Sequence, residues 1–250
     1  MPNSFYSRIA ALQREWKQSV IVRTPLALAI AAGGRTRVAD AFGILMYHRV
    51  TDAVRGFPFP TLNVTPERFH SQLSGLLDRG HQAWPLRRVL NAHAAGEVVP
   101  RNVFVVTFDD GYANNFTQAF PILQELGIPA TIFIATAYLD TNDPFPFEDW
   151  TPAGADAVPA DSWRPLTTEE CQAMLDSGII ELGAHTHTHT AYRHQPEPFR
   201  EDLQTSMQIL RERFGYEDLT FAFPFGKRHH GLAGPTMYPA AQQAGVFINH

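Results

Sequence analysis

The chain has 250 residues, a length that α/β barrels often use for a single domain and that also suits two small domains. Hydrophobic residues make up 44% and charged residues 18%, a balance typical of a globular protein with a substantial core. The net charge of −5 comes with no basic block, which argues against a nucleic-acid partner, and the one cysteine, Cys171, excludes an internal disulfide and a cysteine-based zinc cluster.

The beginning of the chain, residues 1–42, is predicted to be a helical extension without recognisable chemistry. Its most apolar stretch, residues 20–32, is interrupted by Arg23 and Pro25 and resembles a signal peptide only faintly. No run reaches the roughly 18 unbroken apolar residues of a membrane helix. We therefore expect no integral membrane segment, with the cytoplasm as the favoured compartment and the cell envelope or periplasm as the alternative.

From residue 43 to residue 250, short apolar strands alternate with helical stretches. Strands are predicted at 42–47, 81–84, 103–108, 130–136, 179–184, 219–223 and 246–249. Helices are predicted at 65–79, 115–126, 167–176 and 198–214, and the long segment 140–165 is predicted to be a functional loop. This alternation indicates an α/β domain with a parallel sheet, either open or closed into a barrel. Because the chain ends on a predicted strand with no helix to cover it, we also expect a C-terminal truncation.

Two of these strands deliver side chains of the metal-binding type at their C-terminal ends. Asp109 and Asp110 directly follow the strand FVVTF, whereas His185 follows IIELGA and His189 comes four residues later. The C-terminal strand ends form the active face of parallel α/β folds. Two neutral imidazoles and a carboxylate bind a divalent first-row metal and leave positions open for water and substrate. A second carboxylate beside the ligand can accept a proton from that water as general base.

Each motif alone also has a structural explanation. An Asp-Asp-Gly sequence after a strand is commonly a turn, for which Gly111 is suited, and a histidine-rich run can be a solvated loop. Their joint occurrence at two strand ends favours a metal site. His187, between the two candidate ligands, is predicted to point away from them.

The sequences TFDDGY (residues 107–112) and HTHTH (residues 185–189) resemble the first two motifs of the polysaccharide deacetylases, carbohydrate esterase family 4. Thr190 completes the second motif, and the resemblance runs from about Ile44 to the C-terminus. It implies a distorted (β/α) barrel of about seven strands.

The resemblance also implies a role for each residue of the two motifs. Asp109 would be the base, and Asp110, His185 and His189 would hold the metal. Zinc is the default for such a ligand set, and Co²⁺, Ni²⁺ or Fe²⁺ would also fit. The reaction implied is hydrolysis of an N-acetyl group on an amino-sugar glycan, which would be the binding partner.

A third family motif corresponds to FAFPFG at residues 221–226. Ala222 stands where the family's arginine orients the base, a departure shared by the branch that resembles exopolysaccharide and poly-N-acetylglucosamine deacetylases. Phe225 is retained, and its N–H is the candidate oxyanion donor. Lys227 and Arg49 are the two candidates for a replacement cation, and the sequence does not choose between them.

The family's general acid lies in a Leu-x-His motif near the usual C-terminus. In the branch just named, the sequence Met-Tyr-His at residues 46–48 resembles this motif moved to the front by circular permutation, so His48 is the candidate acid. The alternative for His48 is a core-edge histidine bonded to a carbonyl. Tyr112 and Trp150 are the candidate substrate contacts.

The sequence leaves two other functions open. The same machinery could act on a non-sugar amide or imide, or the chain could be a catalytically weak carbohydrate-binding protein, since the arginine is missing. The oligomeric state is not predicted.

Overall fold

The structure, a computed structural model, describes residues 42–54, 60–147, 158–216, 218–226 and 228–246, all within the unit Asp40–His250. The predicted helical extension, apart from Phe42, lies outside the described residues, as do Trp150 and Lys227. The domain boundary after residue 42 therefore stays a prediction. None of the helices in the described ranges is long and apolar enough to cross a membrane.

Within the described residues the strands are short and every ladder between them is parallel. They are β1 (Gly43–Tyr47), β2 (Arg49–Val50), β3 (Asn63–Val64), β4 (Gln82–Ala83), β5 (Val103–Phe108), β6 (Ala130–Ile134) and β7 (Ile180–Ala184). The main sheet has the order β1–β5–β6–β7, and β4 pairs with the first two residues of β5. Strands β2 and β3 pair separately.

Helices follow most of the strands. They are α1 (Pro66–Leu77), α2 (Leu86–Ala94), α3 (Phe120–Leu126), α4 (Thr168–Asp176), α5 (Pro196–Phe214) and α6 (Tyr238–Ala244), with a π-helical turn at Asn115–Ala119 and 3₁₀ turns at Ala160–Ser162 and Arg228–His230. Local chemistry sets several of their ends. At the start of α4, the Thr167 hydroxyl accepts a hydrogen bond from the Glu170 N–H in a capping box. At the end of α5, Gly215 has a φ of 70°, a conformation that is unfavourable for residues with a side chain.

Strand β5 lies at the centre of the core, and all six of its residues are buried. Its side chains alternate between two hydrophobic clusters, as the two-residue period of a strand requires. Phe104, Val106 and Phe108 pack in the cluster that includes α1, α3 and α4 residues, whereas Val103 and Val105 pack with α2. A parallel strand that is covered on both faces needs apolar residues at nearly every position, which explains the sequence VFVVTF.

The predicted α/β class with a parallel sheet is confirmed, and five of the predicted strands coincide with β1, β4, β5, β6 and β7. The segment predicted as a strand at 219–223 instead makes one parallel bridge, between Phe221 and Ala184. It leaves the sheet before Pro224, which has no N–H to continue a ladder. Among the described residues the strands do not close into a ring, and helices α2 and α6 were not foreseen.

Gly183 provides a test of the packing in this sheet. A Cβ placed on it would lie 2.5 Å from Cδ1 of Phe133 and 2.7 Å from Oγ1 of Thr220. We predict that Gly183→Ala lowers the free energy of unfolding by about 1–3 kcal/mol through overpacking, measured by denaturant titration. Gly43→Ala, in the same sheet, is the matched control, because its Cβ would have no neighbour nearer than 4.0 Å in the part of the chain that the structure describes. Equal stability of the two variants would contradict the prediction.

Candidate metal centre and active site

The register of the sheet places the candidate residues at one edge. Tyr47 pairs with Phe108, and the Asp109 N–H donates to the Tyr47 carbonyl at 2.9 Å, so His48 and Asp109 leave neighbouring strands together. On the other side of the sheet centre, the His185 N–H donates to the carbonyl of Ile134 at 3.0 Å. The C-terminal ends of β1, β5 and β7 therefore carry the candidate acid, the Asp pair and the first histidine.

A tight turn separates the roles of the two aspartates. Asp110 and Gly111 both have left-handed backbone conformations, with φ of 76° and 87°. A Cβ on Gly111 would lie 3.4 Å from Cγ1 of Ile134, so glycine also suits the close packing of this turn. The turn directs the two adjacent carboxylates into different surroundings.

Asp110, His185 and His189 are brought together with metal-binding geometry. Asp110 Oδ1 lies 3.2 Å from Nε2 of His189 and 3.6 Å from Nε2 of His185, and the three potential ligand atoms are all within 4.8 Å of one another. All three side chains are buried, and Oδ1 has no well-directed hydrogen bond among the described residues. A carboxylate oxygen and two imidazole nitrogens that converge in this way fit a divalent cation between them.

The backbone at Ala222 orients one of these ligands. Nδ1 of His185 lies 2.9 Å from the Ala222 carbonyl, which can only accept, so Nδ1 carries the proton and the lone pair of Nε2 faces Asp110. Burial lowers the pKa of His185 to about 4, which keeps the imidazole neutral as a ligand must be. The position that lacks the family's arginine thus contributes a main-chain acceptor.

The two carboxyl groups have opposite pKa shifts. Burial, followed by the charge of Asp110, raises the pKa of Asp109 to about 7. Burial also acts to raise the pKa of Asp110, but the close imidazoles of His189, His185 and His48 outweigh it, so the pKa of Asp110 lies below its usual value. Paired groups with pKa values pushed apart in this way are typical of an acid–base site.

His48 completes the group from the end of β1. Its side chain is half-buried, and its carbonyl accepts from the Asn115 side-chain amide at 2.9 Å. Burial lowers the pKa of His48, and the nearby Asp110 charge partly opposes this shift. A lowered pKa makes the protonated imidazole a stronger acid.

A cavity of about 570 Å³ opens over these residues, a size suited to a small ligand. Phe225 forms part of its rim, is 47% exposed and has a φ of 63°. The turn at Phe225 closes through the Gly226 N–H, which donates to the Phe223 carbonyl, and among the described residues the Phe225 N–H donates no backbone hydrogen bond. Such an N–H could donate to an oxyanion, and this role of Phe225 stays a prediction.

Of the two predicted substrate contacts, the structure describes Tyr112. Its ring is almost wholly buried at the cavity wall, and its hydroxyl accepts from Nη2 of Arg49 at 3.2 Å. The Arg49 guanidinium also lies over this ring, 4.5 Å from its centre. Arg49, one of the two candidate replacement cations, thus packs beside the site against Tyr112.

Several further residues line the cavity without having been predicted for this role, among them Met46, Leu62 and Phe147. The Phe147 ring lies 4.4 Å from that of His189, and Leu62 is 63% exposed with a φ of 55°. The loop residues Leu62 and Phe147 carry no sequence signal for this role, because their positions depend on how the loops pack.

Comparisons with known proteins identify the family of this chain. Residues 96–246 match the family model described as polysaccharide deacetylase. The poly-beta-1,6-N-acetyl-D-glucosamine N-deacetylase of Escherichia coli (strain K12) is 27% identical over 147 residues, 59% of this chain and 21% of that protein. The protein of the same name from Staphylococcus aureus (strain MSSA476) is 24% identical over 221 residues, 81% of this chain and 69% of that protein.

A solved structure supports the fold independently. IcaB from Ammonifex degensii superposes with a TM-score of 0.67 at 22% identity, covering 83% of this chain and 82% of that one. By contrast, the chain spans only about a fifth of the length of the Escherichia coli relative.

The candidate ligands can be tested by metal content. We predict that Asp110→Ala and His185→Ala each reduce bound zinc from about one equivalent per chain to nearly none, because a buried site with one ligand missing leaves the cation undercoordinated. Asp109→Asn should retain its zinc, since Asp109 is not a ligand. Mass spectrometry of the purified, dialysed proteins measures this, and full occupancy in Asp110→Ala would be the contrary result.

The raised pKa of Asp109 predicts a pH-dependent cost to stability in the metal-free protein. Below the ordinary carboxyl pKa the group is protonated in both states and costs nothing. As the pH rises toward about 7, the unfolded state loses its proton first, so stability falls and the full cost is present above that pH. Asp109→Asn should therefore stabilise the protein at pH 8, on the order of 2–4 kcal/mol, and have little effect at pH 4. Denaturant titrations in EDTA at both pH values measure this, and a pH-independent difference would refute it.

Proposed function

Because the chain belongs to the polysaccharide deacetylase family, we propose that it is a metal-dependent hydrolase that removes N-acetyl groups from an amino-sugar glycan. The observation that carries the proposal is the convergence of Asp110 Oδ1 with the Nε2 atoms of His185 and His189, beside an aspartate with a raised pKa. A binding protein would have no need of a buried base next to a ligand set. The weak-binding alternative is therefore less well supported.

In the proposed reaction, each residue of the site has a separate role in amide hydrolysis. Asp110, His185 and His189 would hold a divalent metal, which supplies Lewis-acid polarisation of the amide carbonyl and acidification of the attacking water. Zinc is the metal that we propose, because it suits two imidazoles and one carboxylate, with Co²⁺, Ni²⁺ and Fe²⁺ as alternatives.

Asp109 would accept a proton from the water as it attacks the acetamide carbonyl. The negative charge that develops on the carbonyl oxygen would be met by the Phe225 N–H. His48 would then protonate the departing nitrogen, releasing acetate and a free amine. The pairing of β1 with β5, whose C-terminal ends lead into His48 and Asp109, supports this division of roles.

The proposed substrate is a polymer or oligomer that contains N-acetylglucosamine. The names of the Escherichia coli and Staphylococcus aureus relatives refer to poly-beta-1,6-N-acetyl-D-glucosamine, and their similarity motivates the choice. Tyr112 at the cavity wall and Trp150 stay proposed substrate contacts. The compartment also stays a proposal, with the cytoplasm favoured and the cell envelope as the alternative.

One observation favours a second substrate class. An apolar cavity of about 550 Å³ adjoins the first one, and Met46, Asp109 and Phe223 line both. An apolar space in contact with the base would suit an amide whose acyl or leaving group is hydrophobic. Activity on simple amides or imides is therefore the alternative to a glycan.

Acetate release tests the proposal. The wild-type chain loaded with zinc should release acetate from β-1,6-linked N-acetylglucosamine oligomers, and Asp109→Asn and His48→Gln should each lower kcat by about 10²–10⁴-fold. His70→Gln, a half-exposed histidine on α1, is the matched control and should leave the rate unchanged. N-acetylated aromatic amines and cyclic imides are assayed in parallel. Equal acetate release by wild type and Asp109→Asn would end the enzyme proposal.

A further inference from the structure

The loop that carries the two histidine ligands has an unusual backbone. His185 and His189 are four residues apart, but no helix holds them in register. Thr186 and His189 have φ of 64° and 56°, conformations that cost free energy for residues with a Cβ. Such a loop keeps its shape only when surrounding groups hold it.

Asp202, on the neighbouring helix α5, forms several hydrogen bonds with this loop. Its Oδ1 accepts from the His187 N–H at 2.6 Å, and the Thr188 N–H lies 3.2 Å from both carboxylate oxygens. Its Oδ2 also accepts from the hydroxyls of Thr188 at 2.7 Å and Tyr192 at 3.0 Å. One buried carboxylate thus accepts hydrogen bonds from two consecutive backbone N–H groups and from two hydroxyls.

The position of Asp202 is itself well supported. It lies in the first half of α5, where Phe199 and Leu203 are buried on either side of it in the chain. The loop is also held from the end of β6, where the Tyr138 hydroxyl donates to the Thr188 carbonyl and the Ala137 N–H donates to the His187 carbonyl, both at 2.9 Å. Asp202 supplies the acceptors and this second segment supplies the donors.

We propose that Asp202 is a positioning residue that holds the loop 185–189 in the conformation required for both histidines to bind one metal. Among the described residues its hydrogen bonds reach the backbone between the two ligands and not the ligand side chains, so it would act through that backbone. The inference rests on the metal site of the proposed function but not on its substrate, so it can be tested without an assay of deacetylation.

Metal affinity and metal spectroscopy provide the test. Zn²⁺ affinity is measured by competition with a fluorescent chelator, and the visible spectrum of bound Co²⁺ reports ligand geometry. Asp202→Ala should weaken Zn²⁺ binding about 10–100-fold, the range seen when a group that orients metal ligands is removed. The Co²⁺ spectrum should change as well, because the loop no longer holds both imidazoles at the metal.

Two further variants separate positioning from general stability. Asp202→Asn keeps an oxygen for the two backbone N–H groups, so it should recover most of the affinity lost in Asp202→Ala. Ser206→Ala, one helical turn further along α5, is the matched control, because Ser206 is also buried and its hydroxyl has no hydrogen-bond partner among the described residues. Unfolding in EDTA is measured for all variants.

The outcomes are distinct. If Asp202→Ala folds and binds Zn²⁺ with wild-type affinity, the inference is wrong, whatever its effect on stability in EDTA. If Asp202→Ala does not fold, Thr188→Val, which removes one donor to Oδ2, takes its place, and an unchanged affinity there overturns the inference. If Zn²⁺ affinity falls as expected but the wild type releases no acetate, the positioning role stands and the proposed function fails.

Discussion

A buried carboxylate that faces two buried imidazoles is the constraint on which the rest of this site depends. Asp110 Oδ1 has two ring nitrogens in front of it and no well-directed hydrogen bond among the described residues, which is costly unless a cation lies between them. The same arrangement shapes Asp109, since burial and the charge of Asp110 together raise its pKa. Ligand and base therefore acquire different properties although they are adjacent in the chain.

The backbone around this centre is held in conformations that few residues adopt. Four residues around the site have positive φ and lie in segments where the chain has left the sheet: Asp110, Thr186, His189 and Phe225. Residues of this kind persist only where a rigid surrounding structure over-determines them. Here the fully buried strands β5 and β6 and the hydrogen bonds of Asp202 provide that structure. The strain is thus placed at the strand ends, where chemistry is proposed to occur.

Much of this arrangement could be predicted because it depends on local sequence. Continuous apolar runs located β5 and β6, and Asp-Asp and His-Thr-His-Thr-His directly after strands marked the ligands. The segment 219–223 was predicted to be a strand, but within the described residues it forms one bridge, at Phe221. A run of apolar residues does not show where strand pairing stops. The contribution of Ala222 is a carbonyl, which every residue has, so its side chain gives no signal. Asp202 lies thirteen residues beyond His189, on a helix whose acidic residues otherwise resemble ordinary surface charges.

The sequence by itself determined the α/β class, the parallel sheet and the identity of the candidate ligands and base, because hydrophobic period and residue chemistry are local properties. Only the tertiary structure decided how these residues meet. The register of β1 against β5 placed His48 beside Asp109. Packing of α5 against the loop 185–189 brought Asp202 within hydrogen-bond distance of the backbone between the two histidine ligands. Such relations depend on contacts between residues distant in the chain, which no local pattern encodes.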